Sequence, residues 1–424
     1  MGMQLEKPKL FPEKKTFIWF CVVLLVLITI RLFFTYVSYK EFIEKPFYYT
    51  EATVVTSSEK IKNNRWYQVL KLRSVEGFVF YTTSHSKEDF NHTRLRLQIF
   101  PNNSITFKDY LGTFYVKSKI KHQEKLPHTF KDYLLKKVSV QHDDVSLSSF
   151  YNAIFFATPL DRKLREKISM LGVSHLVALS GFHLTILWGL VYGLLLFLYR
   201  PLQQRFFPYR HALFDVGLVA MILLGVYLWF VDFPPSLVRS YAMVLVGWVV
   251  LLLGMELLSF TFLATILLIL VVLFPSLLVS LSFQLSAAGV FYIFLLLQYT
   301  KGMKAWIITL LIIPMGIFIL MLPVVHGTFG VTSAYQLLSP LLSVAFIPFY
   351  PLAMLSHVLG FGGLADTTLL WLFSLPEESR EMLLPSWALW TYIGLSLGAI
   401  ESRRLFYIVS ALAMLYMVYL FMFI

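Results

Sequence analysis

Long apolar runs dominate this chain, with one near its start and a nearly continuous series in its second half. About 20 apolar residues cross a bilayer as a helix, so the run at residues 17–39 predicts one crossing. Short polar loops divide the series after residue 171 into nine further predicted crossings. These lie near 173–199, 211–231, 237–254, 258–274, 276–298, 305–325, 334–355, 385–400 and 404–424.

Basic residues between the runs indicate how the crossings are oriented. Four lysines precede the first run, which places the N-terminus in the cytoplasm. Lys301, Lys304, Arg403 and Arg404 should also face the cytoplasm. This requires an additional short or re-entrant segment at 356–375, where glycines break the pattern. We therefore expect a multi-pass protein of the cytoplasmic (inner) membrane.

Residues 47–121 follow a different pattern, because apolar and polar positions alternate in several short segments such as 67–73 and 95–100. Alternation of this kind without a long helical run predicts about five short β-strands. A small β-barrel is expected, and an OB-fold is one candidate of this size. With one crossing before it, this β-domain is expected outside the cytoplasm.

Residues 122–170 have apolar positions at helical spacing among basic ones, most clearly in 130–137 and 160–170. Amphipathic basic helices lie along membrane surfaces, and we expect the same here. The predicted organisation has four parts: a cytoplasmic N-terminus with the first crossing at 1–46, an extracytoplasmic OB-like β-domain at 47–121, interfacial helices at 122–170 and a multi-helix membrane domain at 171–424.

Composition supports the membrane assignment. Hydrophobic residues form 58% of the chain and charged residues 14%, whereas soluble domains are about half apolar and a quarter charged. The expected fold class is a polytopic α-helical membrane protein with a small extracytoplasmic all-β domain after the first transmembrane helix. Cys21 is the only cysteine, so an intrachain disulfide and a thiolate-ligated metal cluster are excluded.

Charge is concentrated in the first 170 residues. They hold 27 of the 36 basic and 16 of the 24 acidic side chains, in a chain of net charge +12. A basic region of this kind fits a polyanionic partner or anionic lipid, although ordinary solubility would also explain it. Aromatic rings beside cations suit single-stranded nucleic acid, while a small β-core would need the same rings. The candidate residues in the β-domain are Trp66, Tyr67, Lys71, Arg73, Tyr81, Tyr115 and Lys117.

Three segments place polar groups inside or at the edge of apolar runs. We refer to residues 171–184 as the first segment, 234–243 as the second and 282–289 as the third. Polar groups at membrane depth are costly and usually face a bundle interior or a water-filled path. The segments therefore predict a polar route through the membrane, lined by His175, Ser180, Gly181, His183, Arg239, Gln284 and Ser286.

Each of these residues also has a simpler interpretation. Ser180 could cap a helix rather than line a path. Arg239 suits a phosphate because its planar fork matches the oxygens, but it could also reach the interface or pair with Asp232. Gln284 could join two helices by hydrogen bonds. His326 is expected at an interfacial helix end.

The segments together resemble the ComEC competence family, the inner-membrane DNA-internalisation channels of natural transformation. His175-Leu-Val-Ala-Leu-Ser-Gly-Phe-His183, Pro235-Ser-Leu-Val-Arg-Ser240 and Ser282-Phe-Gln-Leu-Ser286 are similar to its hallmarks, in the same order. A fourth segment, 339–348, is similar to a later one. The resemblance implies that 47–121 is the family's OB-like domain and 150–424 its channel region.

The same resemblance implies that one DNA strand passes inward. It also implies a helicase-like motor in the cytoplasm and a DNA-receptor protein outside. The chain departs from the family pattern in three places. Ser343 stands where many members have Asn, only one apolar run precedes the β-domain, and we expect no metallo-β-lactamase-like domain after residue 424. A nuclease for the second strand is expected elsewhere, if there is one.

We find no nucleotide-binding motif and expect no cofactor, no metal and no enzymatic activity. His142, Asp143 and Asp144 resemble a metal-ligand triplet, but consecutive side chains rarely converge on one ion. Two other function classes remain open: an intramembrane serine hydrolase using Ser180 with His183, and a small-solute transporter. The Gly-x-Ser-x-Gly elbow of many hydrolases is absent, and near-equal inverted halves are not visible. A homo-oligomer is also left open.

Overall fold

The computed structural model describes residues 10–11, 13–62, 65–90, 92–127, 129–252, 259–376 and 378–422. The chain forms two compact units. The first joins Glu13–Thr129 to Leu267–Phe283, and the second joins Phe130–Ile266 to Gln284–Ile424.

The first unit begins with a long helix and continues into a six-stranded sheet. Helix α1 spans Lys14–Glu44 and confirms the predicted first crossing, although it is longer than the 17–39 run. The strands are β1 Tyr48–Lys62, β2 Arg65–Ser74, β3 Val79–Ser84, β4 Thr93–Phe100, β5 Phe114–Tyr115 and β6 Lys117–Lys125, with the short helix α2 Phe107–Leu111 before β5.

The sheet closes on itself. Its strand order is β5-β3-β2-β1-β4-β6, and only Val116 separates the two outermost strands in sequence. This one bent segment pairs with β3 in parallel at its start and with β4 antiparallel further on. The Val116 amide donates to the Tyr81 carbonyl at 2.9 Å at the bend. The predicted barrel is therefore confirmed, and its identity as an OB-fold stays a prediction.

The barrel interior follows the predicted alternation. Alternate residues of β2, β3 and β4 point inward and are fully buried, among them Leu70, Leu72, Phe80, Leu95, Leu97 and Ile99. Phe42 of α1 packs on the same core beside Phe78 and Tyr110, which fixes the helix to the barrel.

One boundary of the β-domain differs from the sequence prediction. Strand β6 runs to Lys125, so residues 122–125 belong to the barrel rather than to the interfacial helices. Their side chains are all exposed, and no apolar alternation marks them in the sequence. Strand β1 pairs with β4 only over Tyr48–Thr53 but continues with β2 to Lys62. Strand β2 pairs with β3 over residues 68–73, so only the last part of the β1–β2 hairpin, residues 60–62 with 65–67, is two-stranded.

The rest of the chain is helical. The helices are α3 Phe130–Ser139, α4 Val145–Phe156, α5 Arg162–Met170, α6 Ser174–Val177, α7 Gly181–Phe206, α8 Ala212–Phe230, α9 Pro235–Leu252, α10 Phe260–Leu273, α11 Leu281–Tyr299, α12 Ala305–Ile307, α13 Ile313–His326, α14 Ser339–Leu359, α15 Asp366–Phe373, α16 Ser386–Gly398 and α17 Arg403–Met422. A π-helical turn joins α12 to α13, and a two-stranded sheet pairs β7 Val331–Thr332 with β8 Arg380–Glu381.

Seven helices in the described part of the chain are long and apolar enough to cross a membrane. They are α1, α7, α8, α11, the continuous helix Ala305–His326, the helix Ala334–Leu359 and α17. This chain is therefore a multi-pass membrane protein. The predicted crossings at 237–254, 258–274 and 385–400 correspond to the shorter helices α9, α10 and α16. Residues 253–258 lie outside the described residues.

The glycine-broken stretch at 356–375 has the predicted irregular character. Helix α14 ends at Gly360, whose φ of 85° is left-handed. A 3-10 turn at Gly362–Ala365 and the eight-residue helix α15 follow. Whether this segment is re-entrant stays a prediction.

The 122–170 region contains the two predicted amphipathic helices as α3 and α5, and their position at a membrane surface stays a prediction. Between them lies α4, which is apolar and mostly buried. Its side chains form a core with α6, α7, α8 and α14. Residues 130–170 are thus part of the helical unit and do not lie wholly on its surface.

Candidate functional site

The first segment contains a helix break at the place where Ser180 and Gly181 suggested one. Helix α6 ends at Val177, and α7 begins at Gly181. The Ser180 hydroxyl accepts a hydrogen bond from the Phe182 amide at 3.3 Å, and His183 Nδ1 accepts one from the Ser180 amide at 3.3 Å. This is a capping box in which His replaces the usual Glu or Gln. Ser180 therefore caps α7, as its simpler interpretation held.

The second segment holds this break in place. The Ser236 hydroxyl donates to the Leu179 carbonyl at 2.6 Å. A Cβ atom added to Gly181 would lie 2.9 Å from Ser240 Oγ and 3.2 Å from Ser240 Cβ, so only glycine allows this approach of α7 and α9. Ser236 and Ser240 share one helix face because they are four residues apart.

Arg239 lies beside these two serines in the first turns of α9. Only 6% of its surface is exposed, so it faces the protein interior, which disagrees with a side chain that reaches out to the interface. Asp232, the other partner considered for it, has its carboxylate 2.5 Å from Lys131 Nζ. Asp232 and Phe233 both have positive φ, 65° and 51°, a strained approach to the helix.

The fourth segment, at the start of α14, completes the arrangement. The Ser339 hydroxyl donates to the Gly172 carbonyl at 3.0 Å. Ser343 Oγ lies 3.3 Å from His175 Nε2, so the position where the chain departs from the family pattern still carries a polar contact. Further along α14, Phe346 and Tyr350 place their rings 5.1 and 4.9 Å from the His183 ring.

We call this arrangement the polar junction: the break at 178–181 with Ser236, Arg239 and Ser240 of α9 and Ser339 and Ser343 of α14. It unites the first, second and fourth segments. His183 at its inner side is fully buried, and its Nε2 atom has no hydrogen-bond partner among the described residues. Its Nδ1 accepts the Ser180 amide, so Nε2 carries the hydrogen of a neutral ring.

The third segment lies in helix α11. Gln284 and Ser286 lie in the first two turns of α11, where Gln284 is exposed and Ser286 is half-buried. The structure also shows two surface clefts, one lined by residues such as Arg210 and Phe214 and the other by α1. Neither includes a residue of the four segments, so a continuous path through them stays a prediction.

The β-domain places some of its candidate residues in one row. Lys71, Tyr81 and Tyr115 are direct neighbours across β2, β3 and β5. The Lys71 ammonium lies 5.8 Å from the Tyr81 ring centroid, and 37% of Tyr81 and 49% of Tyr115 are exposed. Arg73 and Lys117 are exposed beside the row. We call these five residues the aromatic row. Trp66 and Tyr67 are half-buried further along β2.

Within the described residues, no three or more His, Cys, Asp or Glu side chains form a group that could hold a metal ion. The triplet at 142–144 does not converge: His142 contacts Asp366, and the Asp144 carboxylate accepts the Ser146 amide at 2.6 Å to cap α4. His326 is the last residue of α13, at a helix end as expected, and its side chain is buried within the protein, while its position at the membrane interface stays a prediction. Its ring bonds the Leu322 carbonyl and the Thr332 hydroxyl.

Comparison with known proteins identifies the family. A family model described as Competence protein matches residues 157–424, which is more than half of the chain and includes all four segments. No curated protein and no solved structure matches the chain. With the polar junction formed by the segments that resemble this family, the chain belongs to the Competence protein family.

Proposed function

We propose that this protein is a channel that carries single-stranded DNA across the cytoplasmic membrane during natural transformation. Membership of the Competence family indicates a role in DNA uptake. The proposal goes further, because it assigns the passage of the strand itself to the helical unit.

One observation carries the proposal: a buried arginine lies on the helix face that holds a broken helix. Breaks and polar groups at membrane depth are tolerated where they line a cavity or are enclosed by protein. Arg239 has 6% of its surface exposed, and its neighbours Ser236 and Ser240 contact the break directly. A guanidinium matches phosphate oxygens in geometry and charge, so Arg239 is the residue we assign to the DNA backbone.

The β-domain would gather the strand before it enters. Stacking on aromatic faces is tolerant of sequence, and nearby cations follow the phosphates. The aromatic row offers two exposed rings with Lys71, Arg73 and Lys117 beside them. In this proposal the N-terminus is cytoplasmic, the β-domain is outside, a receptor protein delivers the DNA and a helicase-like motor pulls it from the cytoplasm.

Substitutions of Arg239 test the channel role. We expect Arg239→Gln to leave DNA bound outside the cell while none reaches the cytoplasm, and Arg239→Lys to retain part of the transport. The measurements are transformation frequency, labelled DNA that is resistant to external nuclease, and the amount of the protein in the membrane. The exposed Arg205 supplies the matched control, Arg205→Gln, which should transform normally.

Normal transport in both Arg239 variants at normal protein levels would remove Arg239 from the DNA path. Loss of the protein from the membrane in Arg239→Gln, with Arg239→Lys present and fully active, would assign the residue a structural role instead.

The serine hydrolase remains a second candidate because Ser180 Oγ lies 3.4 Å from His183 Nδ1. A nucleophile needs a base within hydrogen-bond reach that is itself oriented by a third group. His183 Nδ1 already accepts the Ser180 amide, and its other nitrogen has no hydrogen-bond partner among the described residues that would orient the ring. Labelling of Ser180 by a fluorophosphonate probe would favour this candidate over the channel.

A further inference from the structure

A second polar cluster is buried away from the four segments. His142 lies in the turn between α3 and α4, His357 near the end of α14, and Asp366 at the start of α15. His142 Nδ1 lies 2.9 and 3.0 Å from the two Asp366 oxygens, and its Nε2 lies 2.9 Å from His357 Nε2. The His142 side chain is fully buried, whereas 20% of the Asp366 side chain is exposed.

The donors and acceptors of this cluster can be counted. His357 Nδ1 lies 2.6 Å from the Ala353 carbonyl, which only accepts, so this nitrogen carries a hydrogen. In a neutral ring His357 Nε2 is then an acceptor, and His142 Nε2 must donate to it. The Asp366 carboxylate also only accepts, so His142 Nδ1 must donate as well.

Two neutral imidazoles and one carboxylate therefore lack one proton for this complete set of hydrogen bonds. The extra proton makes the net charge of the three groups zero, whichever of them formally carries it. Without the proton, one hydrogen bond is lost and a net negative charge remains in a largely buried place, which is costly.

His326 provides a comparison within the same chain. Its Nδ1 lies 3.0 Å from the carbonyl four residues earlier, as in His357, but its Nε2 meets the Thr332 hydroxyl at 2.9 Å. A hydroxyl can donate, so a neutral His326 satisfies both bonds. The two histidines differ in the partner at Nε2, and only the His357 arrangement requires the additional proton.

The surroundings favour a proton over a metal ion. The Tyr151 ring stacks on His142 at 4.5 Å and 9°, so the negative face of the ring meets the imidazole. A Cβ atom added to Gly362 would lie 2.8 Å from His357 Nε2, which leaves little room for an ion with its waters. The titratable groups packed on His142 are Tyr151 of α4, His357 of α14 and Asp366 of α15, with Asp143 and Asp144 in its own turn.

We propose that His142, His357 and Asp366 form a buried proton-binding site that clamps the α3–α4 turn to residues 357–366. Gln141 strengthens the same attachment: its amide donates to the His357 carbonyl at 3.1 Å and accepts from the Gly362 amide at 2.8 Å. As pH rises the proton leaves to solvent by way of the partly exposed Asp366, the His142–His357 bond is lost, and the turn is released.

Nitrogen NMR of the full chain tests the site directly. The chain would be purified in detergent with ¹⁵N-labelled histidine and titrated from pH 6 to 9, with His142→Gln and His326→Gln for assignment. We expect His142 to carry hydrogens on both nitrogens at pH 7.5, as its three acceptors require, whereas His326 carries one. A neutral His142 at pH 7.5 would overturn the proposal. So would histidine signals that change only on adding Zn²⁺ or a chelator.

Thermal unfolding gives an independent readout. Above about pH 6.5 the folded wild type holds one proton more than the unfolded chain, so its melting temperature should fall as pH rises. The double variant His357→Gln with Asp366→Asn supplies an amide donor and an amide acceptor to a neutral His142, so this fall should vanish. His326→Gln should keep the wild-type slope. Equal slopes in the wild type and the double variant would contradict the site.

Discussion

Gly181 lets two helices meet where one of them is broken, because any side chain there would collide with Ser240. Glycine is often required by the backbone geometry of a turn, but Gly181 is required because a Cβ atom would come too close to Ser240. Gly189 lies in the same helix and has open space around its Cβ position. The sequence places Gly181 at a helix break, but only the packing of α9 shows that a side chain does not fit there.

Gly181→Ala should therefore destabilise the protein by about 1–3 kcal/mol through overpacking. Gly189→Ala should be neutral or slightly stabilising, because alanine is the better helix former. Thermal unfolding of the purified chain in detergent measures both. Ser240→Gly introduced into the Gly181→Ala variant should recover part of the loss. If Gly181→Ala alone melted at the wild-type temperature, α7 and α9 would be further apart at this point than the structure shows.

In the β-domain, the carboxyl of Glu76 is held by hydrogen bonds from neighbouring hydroxyls. Partial burial by itself would raise the pKa of the Glu76 carboxyl, but hydroxyl hydrogen bonds from Ser74 and from Thr50, at 2.6 Å, outweigh it and hold that pKa below its ordinary value. A carboxylate with a lowered pKa stabilises the fold above its unfolded pKa and loses that effect as pH falls through its folded value.

Glu76→Gln should consequently lower the melting temperature of the β-domain at pH 7, by a few degrees at most. The difference from wild type should shrink below about pH 4, where the unfolded carboxyl is protonated. Glu59→Gln, at an exposed position of β1, is the control and should match wild type at both pH values. A difference that grows as pH falls would contradict the assigned role of these hydroxyls.

At the scale of elements, the strands and long helices could be predicted because their apolar patterns are strong. The alternation in β2 and β4 and the runs that became α1, α7, α8 and α17 needed no tertiary information. The end of β6 at Lys125 could not be predicted, since all its last side chains are exposed and only pairing with β4 makes it a strand. Helix α4 shows the reverse: its burial depends on packing against other helices.

The polar junction was predictable in part of its residues but not in its geometry. The first three segments could be identified from polar groups in apolar runs and the fourth from the family resemblance, yet their spacing in sequence does not tell which of them meet. The structure joins three of them, and Gln284 of the third lies exposed at the start of α11. The buried pair of His142 and His357 was missed because 215 positions separate the two rings in sequence.

The hydrogen bond between α9 and the helix break can be tested by removing its donor. Ser236→Ala removes the donor to the Leu179 carbonyl and should cost about 1–3 kcal/mol if that carbonyl stays unpaired. Ser410→Ala is the matched control, because the Ser410 hydroxyl bonds only the carbonyl one turn earlier in its own helix. Thermal unfolding and transformation frequency should both separate the two variants. Equal behaviour of the variants would mean that α9 does not hold the break.

At the scale of the whole molecule, the chain combines a basic early part with a nearly neutral helical remainder. Of the 36 Lys and Arg residues, 27 lie before residue 171. Electrostatic attraction to a polyanion is therefore concentrated in this early part, which includes the β-domain, and it should weaken with salt. The aromatic row adds a contribution from stacking, which salt screens much less than charge.

Binding of single-stranded DNA by the full chain in detergent tests whether charge and stacking both contribute to affinity. Replacing Tyr81 and Tyr115 together by Ala should weaken binding at least about thirtyfold, since each stacked base contributes about 1–3 kcal/mol. Tyr133→Ala, an exposed tyrosine of α3, should bind as wild type. Fluorescence anisotropy of a labelled oligonucleotide at two salt concentrations separates stacking from charge. Unchanged affinity in the double variant would remove the aromatic row from DNA binding.

The unequal pairing of β1 has a consequence for handling the protein. Beyond Thr53 this strand no longer pairs with β4, and beyond Glu59 its partner β2 no longer pairs with β3. Residues 60–62 and 65–67 therefore form a two-stranded arm of roughly 10 Å at about 3.3 Å per residue, and Lys60 within it is exposed. An isolated two-stranded ribbon is only marginally stable in water. Brief trypsin treatment should therefore cut this arm first and leave the closed barrel intact, which makes the arm a natural place for inserting a reporter tag.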